Sequence, residues 1–297
     1  MEKIGIIGTG MLGSAVGLHL LEKRFPLTVY NRTKEKTDQL EKKGATVVSS
    51  PKDVALESEI VFTIVKDASA VNRVSFETNG IVFGKHEGLV VCDMSTINPL
   101  DSKSISKKFL ESGISMLDTP VMGGPNVAIS GNLVMMAAGS KESFERCKEV
   151  FNVIANKVFY LGENGTAHTV KLAMNLQITM LALALSEGIT LVRGANIDPK
   201  IFLEILNSTY FKTGMSENKA FKMIQDKFDP TFTLDNLKKD ISTIEETSKS
   251  FGLNLPMVQK AKEIYENASK KGFGNLDYTG ILAYIEEINK KPFKTNL

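Results

Sequence analysis

Residues 3–13 read Lys-Ile-Gly-Ile-Ile-Gly-Thr-Gly-Met-Leu-Gly, with glycines at 5, 8, 10 and 13 threaded through an apolar run. Glycine weakens both strands and helices, so four in so short a span need a physical reason. Gly8, Gly10 and Gly13 fit G-x-G-x-x-G, with Thr9, Met11 and Leu12 between them. The pattern follows a strand-like segment, Lys3–Ile7, and opens a helix-like one, Met11–Lys23. In that context the first glycine makes a tight turn and the second lets the backbone approach a pyrophosphate. The third allows close helix–strand packing. The helix start then offers free N–H groups and a partial positive charge to phosphates. The competing reading is a glycine-rich turn that binds nothing.

A second strand, Pro26–Tyr30, decides which dinucleotide such a loop would take. It is followed by Asn31-Arg32-Thr33. A fold that takes NAD usually ends this strand with Asp or Glu on the ribose 2′-hydroxyl. Here no carboxylate repels a 2′-phosphate. Arg32 can pair with it, and Asn31 and Thr33 can donate hydrogen bonds. NADP is therefore expected over NAD. The alternative for Arg32 is a solvated surface charge.

The first half of the chain alternates. Thr33–Lys43 reads as a helix, and Ile60–Val65 and Leu89–Met94 as short apolar strands. Ser115–Asp118, Asn132–Ala138 and Val158–Leu161 read as further strands, with a helix over Lys141–Asn152. Buried strands separated by amphipathic helices predict a doubly wound parallel sheet of Rossmann type, covered on both faces. After Gly162 the strand signals stop. One helix from Thr166 to about Ala195 would be on the order of 45 Å long. Helical patterns continue over Pro199–Asn207, Ser216–Lys222, Leu234–Phe251 and Pro256–Lys271. The expected layout is an α/β dinucleotide-binding domain, residues 1–162, then an all-helical domain, residues 163–297.

The chain has 297 residues with formal net charge +2, and its basic and acidic residues are interspersed. That gives no argument for a nucleic-acid or membrane-surface partner. The two cysteines, Cys92 and Cys147, lack metal or redox spacing, which suggests a reduced compartment. No leader-like segment precedes Ile4, and the apolar stretch Leu176–Leu185 is too short to span a bilayer. A soluble, cytoplasmic protein is expected. The three histidines suggest no metal site.

Chemistry concentrates at the domain junction. Lys171 and Asn175 are four apart and share a helix face, with His168 three before the lysine. Burial of a lysine lowers its pKa, which suits general acid–base catalysis. An interdomain salt bridge is the competing reading. His168 is expected to pack or cap the helix start.

The chain resembles the β-hydroxyacid dehydrogenases, relatives of 3-hydroxyisobutyrate dehydrogenase. The resemblance rests on Gly5–Gly13, Cys92-Asp-Met-Ser-Thr96, Asp118-Thr-Pro-Val-Met-Gly-Gly124, Gly162–Asn175 and Leu237-Lys-Lys239-Asp240, in register over nearly the whole chain. Asn31-Arg32-Thr33, Phe159–Gly162, Ser186-Glu-Gly188 and Gly274–Asp277 are most similar to the glyoxylate/succinic semialdehyde reductase branch, which favours NADPH. The resemblance implies that Lys171 is the catalytic lysine and that Asn175 positions the substrate. It places Thr96 at the nicotinamide, Val65 and Lys66 beside the adenosine ribose, and Lys239 on the cofactor from the helical domain. It also implies that the backbone N–H groups of Gly123 and Gly124 hold a substrate carboxylate, and that the protein is a homodimer or homotetramer.

One departure matters. The family has a serine donor where this chain has Met122, and methionine cannot replace it. The implied reaction is NADPH-dependent reduction of a small carboxylate-bearing aldehyde or 2-oxo acid. Two alternatives stay open: an imine reductase-like enzyme, and a catalytically silent NADP-binding scaffold or sensor.

Overall fold

The computed structural model describes residues 1–289. It resolves into two compact units, Met1–Leu172 and Ala173–Leu297.

The first unit begins with β1 (Ile4–Ile7), α1 (Met11–Glu22), β2 (Leu27–Tyr30), α2 (Asp38–Glu41), β3 (Thr46–Val47), α3 (Pro51–Leu56) and β4 (Ile60–Thr63). It continues with α4 (Ala68–Phe76), β5 (Val90–Asp93), α5 (Pro99–Glu111) and β6 (Ser115–Asp118). The six strands run parallel in the order β3-β2-β1-β4-β5-β6. Alternate side chains enter two apolar layers: Ile4, Ile6, Ile60, Phe62, Val90 and Cys92 enter one. Ile7, Val61 and Val91 enter the other. Full burial of each such side chain contributes about 1.5–3 kcal/mol. Gly5 is needed because a side chain there would strike Val54 of α3 and the Ser58 hydroxyl. Burial also pushes the Cys92 thiol well above its ordinary range, so it packs as an inert neighbour of Cys147.

The later strands depart from the expected single sheet. β7 (Val121–Met122), α6 (Pro125–Ala128), β8 (Leu133–Ala137), α7 (Lys141–Ile154) and β9 (Ala155–Tyr160) follow. They form a separate three-stranded sheet, with β7 antiparallel and β9 parallel to β8. The helix expected over Thr33–Lys43 is a 3₁₀ turn, Lys34–Thr37, followed by the short α2. α4 and α5 were not anticipated. Their N-caps are nevertheless plain: Asp67 accepts from Ala70 N, and Asn98 accepts from Leu100 N beside Pro99.

α8 (Thr166–Gly194) is one helix of 29 residues, and the division between the units falls inside it. The Leu176–Leu185 stretch is part of this helix, which by length and composition could cross a membrane. Core helices of soluble proteins pass the same test. Here Asn175 and Arg193 are buried and bonded within their own unit, to Asp240 and to Glu286 and the Ile224 carbonyl.

The second unit also contains α9 (Pro199–Asn207), α10 (Gly214–Asn218), α11 (Ala220–Met223), α12 (Leu234–Ser250), α13 (Pro256–Lys270) and α14 (Ile281–Ile288). The helix expected over Ser216–Lys222 is two short helices, the first closed by a Thr213–Ser216 capping box. Leu185, Ile189, Leu203, Met223 and Leu282 share one core of this unit.

Candidate active site

The glycine loop lies at the carboxyl end of β1, next to β4. Gly8 has φ of 103°, and a side chain there would strike the Ile64 carbonyl. A side chain at Gly13 would strike the Gly8 carbonyl. At Gly10, the N-cap of α1, an added Cβ would meet nothing within 4 Å. Thr9 is buried, and its Oγ1 has no hydrogen-bond partner among the described residues. A crowded turn that leaves one glycine open and one hydroxyl unpaired fits a pyrophosphate at the helix start.

Asn31 is already engaged: its Oδ1 accepts from Thr9 N at 3.1 Å, and its Nδ2 donates to the Thr33 carbonyl at 2.8 Å. It ties the end of β2 to the glycine loop. Arg32 and Thr33 are exposed. Beyond β4, Val65 N donates to Ser95 Oγ at 3.0 Å, which joins the Val65–Lys66 loop to the Thr96 loop.

The carboxyl end of the sheet carries a polar row. Thr63, Asp93 and Asp118 are register partners on β4, β5 and β6, and all three are fully buried. Thr63 Oγ1 donates to Asp93 Oδ1 at 2.6 Å. Burial pushes the Asp93 carboxyl above its ordinary range, with His168 and hydrogen bonds from Thr63 and Ser95 acting the other way. His168, expected to pack or cap the start of α8, is fully buried. Its Nε2 lies 3.8 Å from both Asp93 and Asp118.

Lys171 is half-buried in the first unit. Its Nζ donates to the Val121 carbonyl at 2.7 Å and to Met122 Sδ at 3.3 Å. So residue 122, expected near a substrate carboxylate, gives its sulfur to the lysine. Gly123, next in the chain, has φ of 115°, and Gly124 leaves open space where a Cβ would stand.

In the second unit, Asn175 is 1% exposed, and its Nδ2 donates to Asp240 Oδ2 at 2.7 Å. Lys239 pairs with the other oxygen of the same carboxylate at 2.5 Å. Asp240 thus links two residues singled out from the sequence without having been singled out itself. Its signal was its place beside Lys239 in the Leu237–Asp240 motif. Among the described residues, no cluster of His, Cys, Asp and Glu could hold a metal ion.

A family model described as the NAD binding domain of 6-phosphogluconate dehydrogenase matches residues 3–162. A second, described as NAD-binding of NADP-dependent 3-hydroxyisobutyrate dehydrogenase, matches residues 165–285. The chain belongs to the β-hydroxyacid dehydrogenase family. It is 32% identical over 286 residues to an uncharacterized oxidoreductase, YfjR, of Bacillus subtilis, covering 96% of this chain and 100% of the relative. It is 29% identical to glyoxylate/succinic semialdehyde reductase 1 of Arabidopsis thaliana, covering 96% of this chain and 98% of the relative. The fold matches a 3-hydroxyisobutyrate dehydrogenase structure from Salmonella typhimurium with TM-score 0.87 at 24% identity, over 96% of this chain and 100% of that one. The protein is an NAD(P)-dependent oxidoreductase.

Proposed function

We propose that this dehydrogenase reduces a small carboxylate-bearing aldehyde or 2-oxo acid, such as succinic semialdehyde or glyoxylate, with NADPH. The observation that carries the reading is the half-buried Lys171 ammonium, held on the Val121 carbonyl two residues before Gly123. When bound, the nicotinamide supplies the reducing equivalent to the carbonyl carbon. Lys171 protonates the developing alkoxide and takes the proton back in the reverse direction. Asn175, one helical turn further along α8, positions the reacting oxygen, with Asp240 fixing its amide. The backbone N–H groups of Gly123 and Gly124 receive the carboxylate.

The cofactor is held through the chain's own groups. Gly8, Gly10 and Gly13 with Thr9 cradle the pyrophosphate, and Arg32 pairs with the 2′-phosphate. Val65, Lys66, Thr96 and Lys239 contact the remainder, as the resemblance implies. A cytoplasmic homodimer or homotetramer belongs to the same reading. Met122 favours a second one: a thioether beside the lysine suits a less polar substrate, such as a cyclic imine.

NADPH consumption over a panel of semialdehydes, 2-oxo acids, uncharged aldehydes and cyclic imines tests these readings together. Turnover of the carboxylate-bearing members is expected. A preference for imines supports the second reading, and NADPH binding without turnover of any member removes both.

A further inference from the structure

The register places Asp93 and Asp118 side by side at the ends of neighbouring parallel strands, both fully buried. Most of their oxygens are engaged. Asp93 Oδ1 accepts from Thr63 Oγ1 and Ser95 N. Asp118 Oδ1 accepts from Ser102 Oγ at 2.5 Å and Asn164 Nδ2 at 2.8 Å, and its Oδ2 accepts from Gly165 N at 2.5 Å. Asp93 Oδ2 and both ring nitrogens of His168 have no hydrogen-bond partner among the described residues. Two carboxylates in a dry strand edge oppose each other unless a donor or a cation stands between them. The imidazole of His168, fully buried and with Nε2 3.8 Å from each, occupies that place.

Each member of this trio anchors a different segment. Asp93 leads directly into the Thr96 loop, Asp118 into Val121–Gly124, and His168 lies one helical turn before Lys171. Asp118 also holds the amide of Gly165, where α8 is about to begin. We propose that His168 is a positioning residue: wedged between Asp93 and Asp118, it fixes the first turn of α8 so that Lys171 stays on the Val121 carbonyl. This inference rests on Lys171 being the proton donor. Displacing a reacting group by about an ångström can cost on the order of a hundredfold in rate.

The test uses the full chain and compares K171A, H168A, H168Q and H168N by steady-state kinetics and by NADPH titration. For H168A, kcat is expected to fall roughly ten- to a hundredfold, with NADPH affinity unchanged. In H168Q the longer amide reaches a carboxylate and should restore most of kcat, whereas the shorter amide of H168N should not. Wild-type kcat in H168A while K171A is inactive overturns the positioning role and leaves the Lys171 reading standing. Near-normal turnover in K171A overturns the Lys171 reading itself, and the inference with it. Parallel losses of kcat and NADPH affinity in H168A also overturn it, because they mark general damage. Should H168A fail to fold, equal kcat in H168Q and H168N is the overturning result.

Discussion

Both units bury aspartates, but they partner them in opposite ways. In the first, Asp93 and Asp118 meet hydroxyls, amide N–H groups and a histidine. In the second, Asp240 meets Lys239 and Asn175, and Asp277 meets Lys219 at 2.8 and 2.9 Å. The consequences diverge. Burial pushes Asp93 up and its partners do not offset it. Burial also acts to raise Asp277, but the Lys219 ammonium and hydrogen bonds from Thr231 outweigh it and hold that carboxyl below its ordinary range. Depth alone therefore does not decide which way the carboxyl of a buried acid shifts; the charges and donors around it do. The second unit uses lysines to pin acids, whereas Lys171 of the first donates to a carbonyl and a sulfur.

That contrast predicts that lysine substitutions will fail differently in the two units. Lys171→Ala should lower turnover about a hundred- to ten-thousandfold, the usual cost of losing a general acid. Its NADPH affinity and melting temperature should stay near wild type. Equal losses of rate and stability would mean that Lys171 is another pinning lysine. Lys219→Met is the mirror case. It leaves the Asp277 carboxyl to the Thr231 and Thr279 donors alone and should destabilise the fold by roughly 1.5–3 kcal/mol in denaturant titrations. Arg32→Glu separates binding from rate within the first unit. NADPH affinity should fall about ten- to a hundredfold, equivalent to roughly 1.5–3 kcal/mol, with NADH affinity little changed. An unaltered preference between the two cofactors would return Arg32 to the solvated surface.

Met122→Ser is expected to have a smaller effect. It removes the sulfur from Lys171 and supplies a hydroxyl beside Gly123. The efficiency ratio of succinic semialdehyde to an uncharged aldehyde of similar size should rise, by at most roughly 1.5–3 kcal/mol. A constant ratio would show that residue 122 serves the lysine rather than the substrate. The smallest expected effect is on pH dependence, where the two aspartates should act with opposite sign. Asp277, lowered in the fold, contributes stability above its unfolded pKa, near 3.9, that is lost as pH falls through the lower folded value. Asp93, raised in the fold, contributes stability below about pH 3.9 that is lost as pH rises through the higher folded value. Melting curves on either side of that pH for Asp277→Asn and Asp93→Asn should therefore change slope in opposite directions. A common slope change would break the comparison.

Residues close in sequence were legible in advance, and those joined by the fold were not. Gly8, Gly10 and Gly13 announce their loop because the turn and the helix start are local. α8 and α9 are marked by long apolar periodicity and by Asp198-Pro199, and their observed ends fall close to the expected ones. The strands over Asn132–Ala138 and Val158–Leu161 were read into the main sheet, and β7 was not read at all, because strand pattern gives pairing partners no address. The Asp93–His168–Asp118 trio joins residues 75 and 50 positions apart, and nothing near His168 in the chain signals two carboxylates. Asp240 escaped notice because an acid after two lysines reads as surface charge until Asn175 is seen beside it. The sulfur of Met122 on Lys171 likewise appears only when β7 is folded against α8.

The loop glycines also differ in what they would say about disuse. At positions 8 and 13 the polypeptide itself forbids a side chain, whether or not anything is bound. At position 10 it does not, and the backbone there, with φ of −70°, is one any residue can adopt. A lineage that had given up its cofactor could change residue 10 early and at little cost to folding, while Gly8 and Gly13 persisted as relics of the turn. Position 10 is where idleness would first be written into such a chain, and here it still reads glycine.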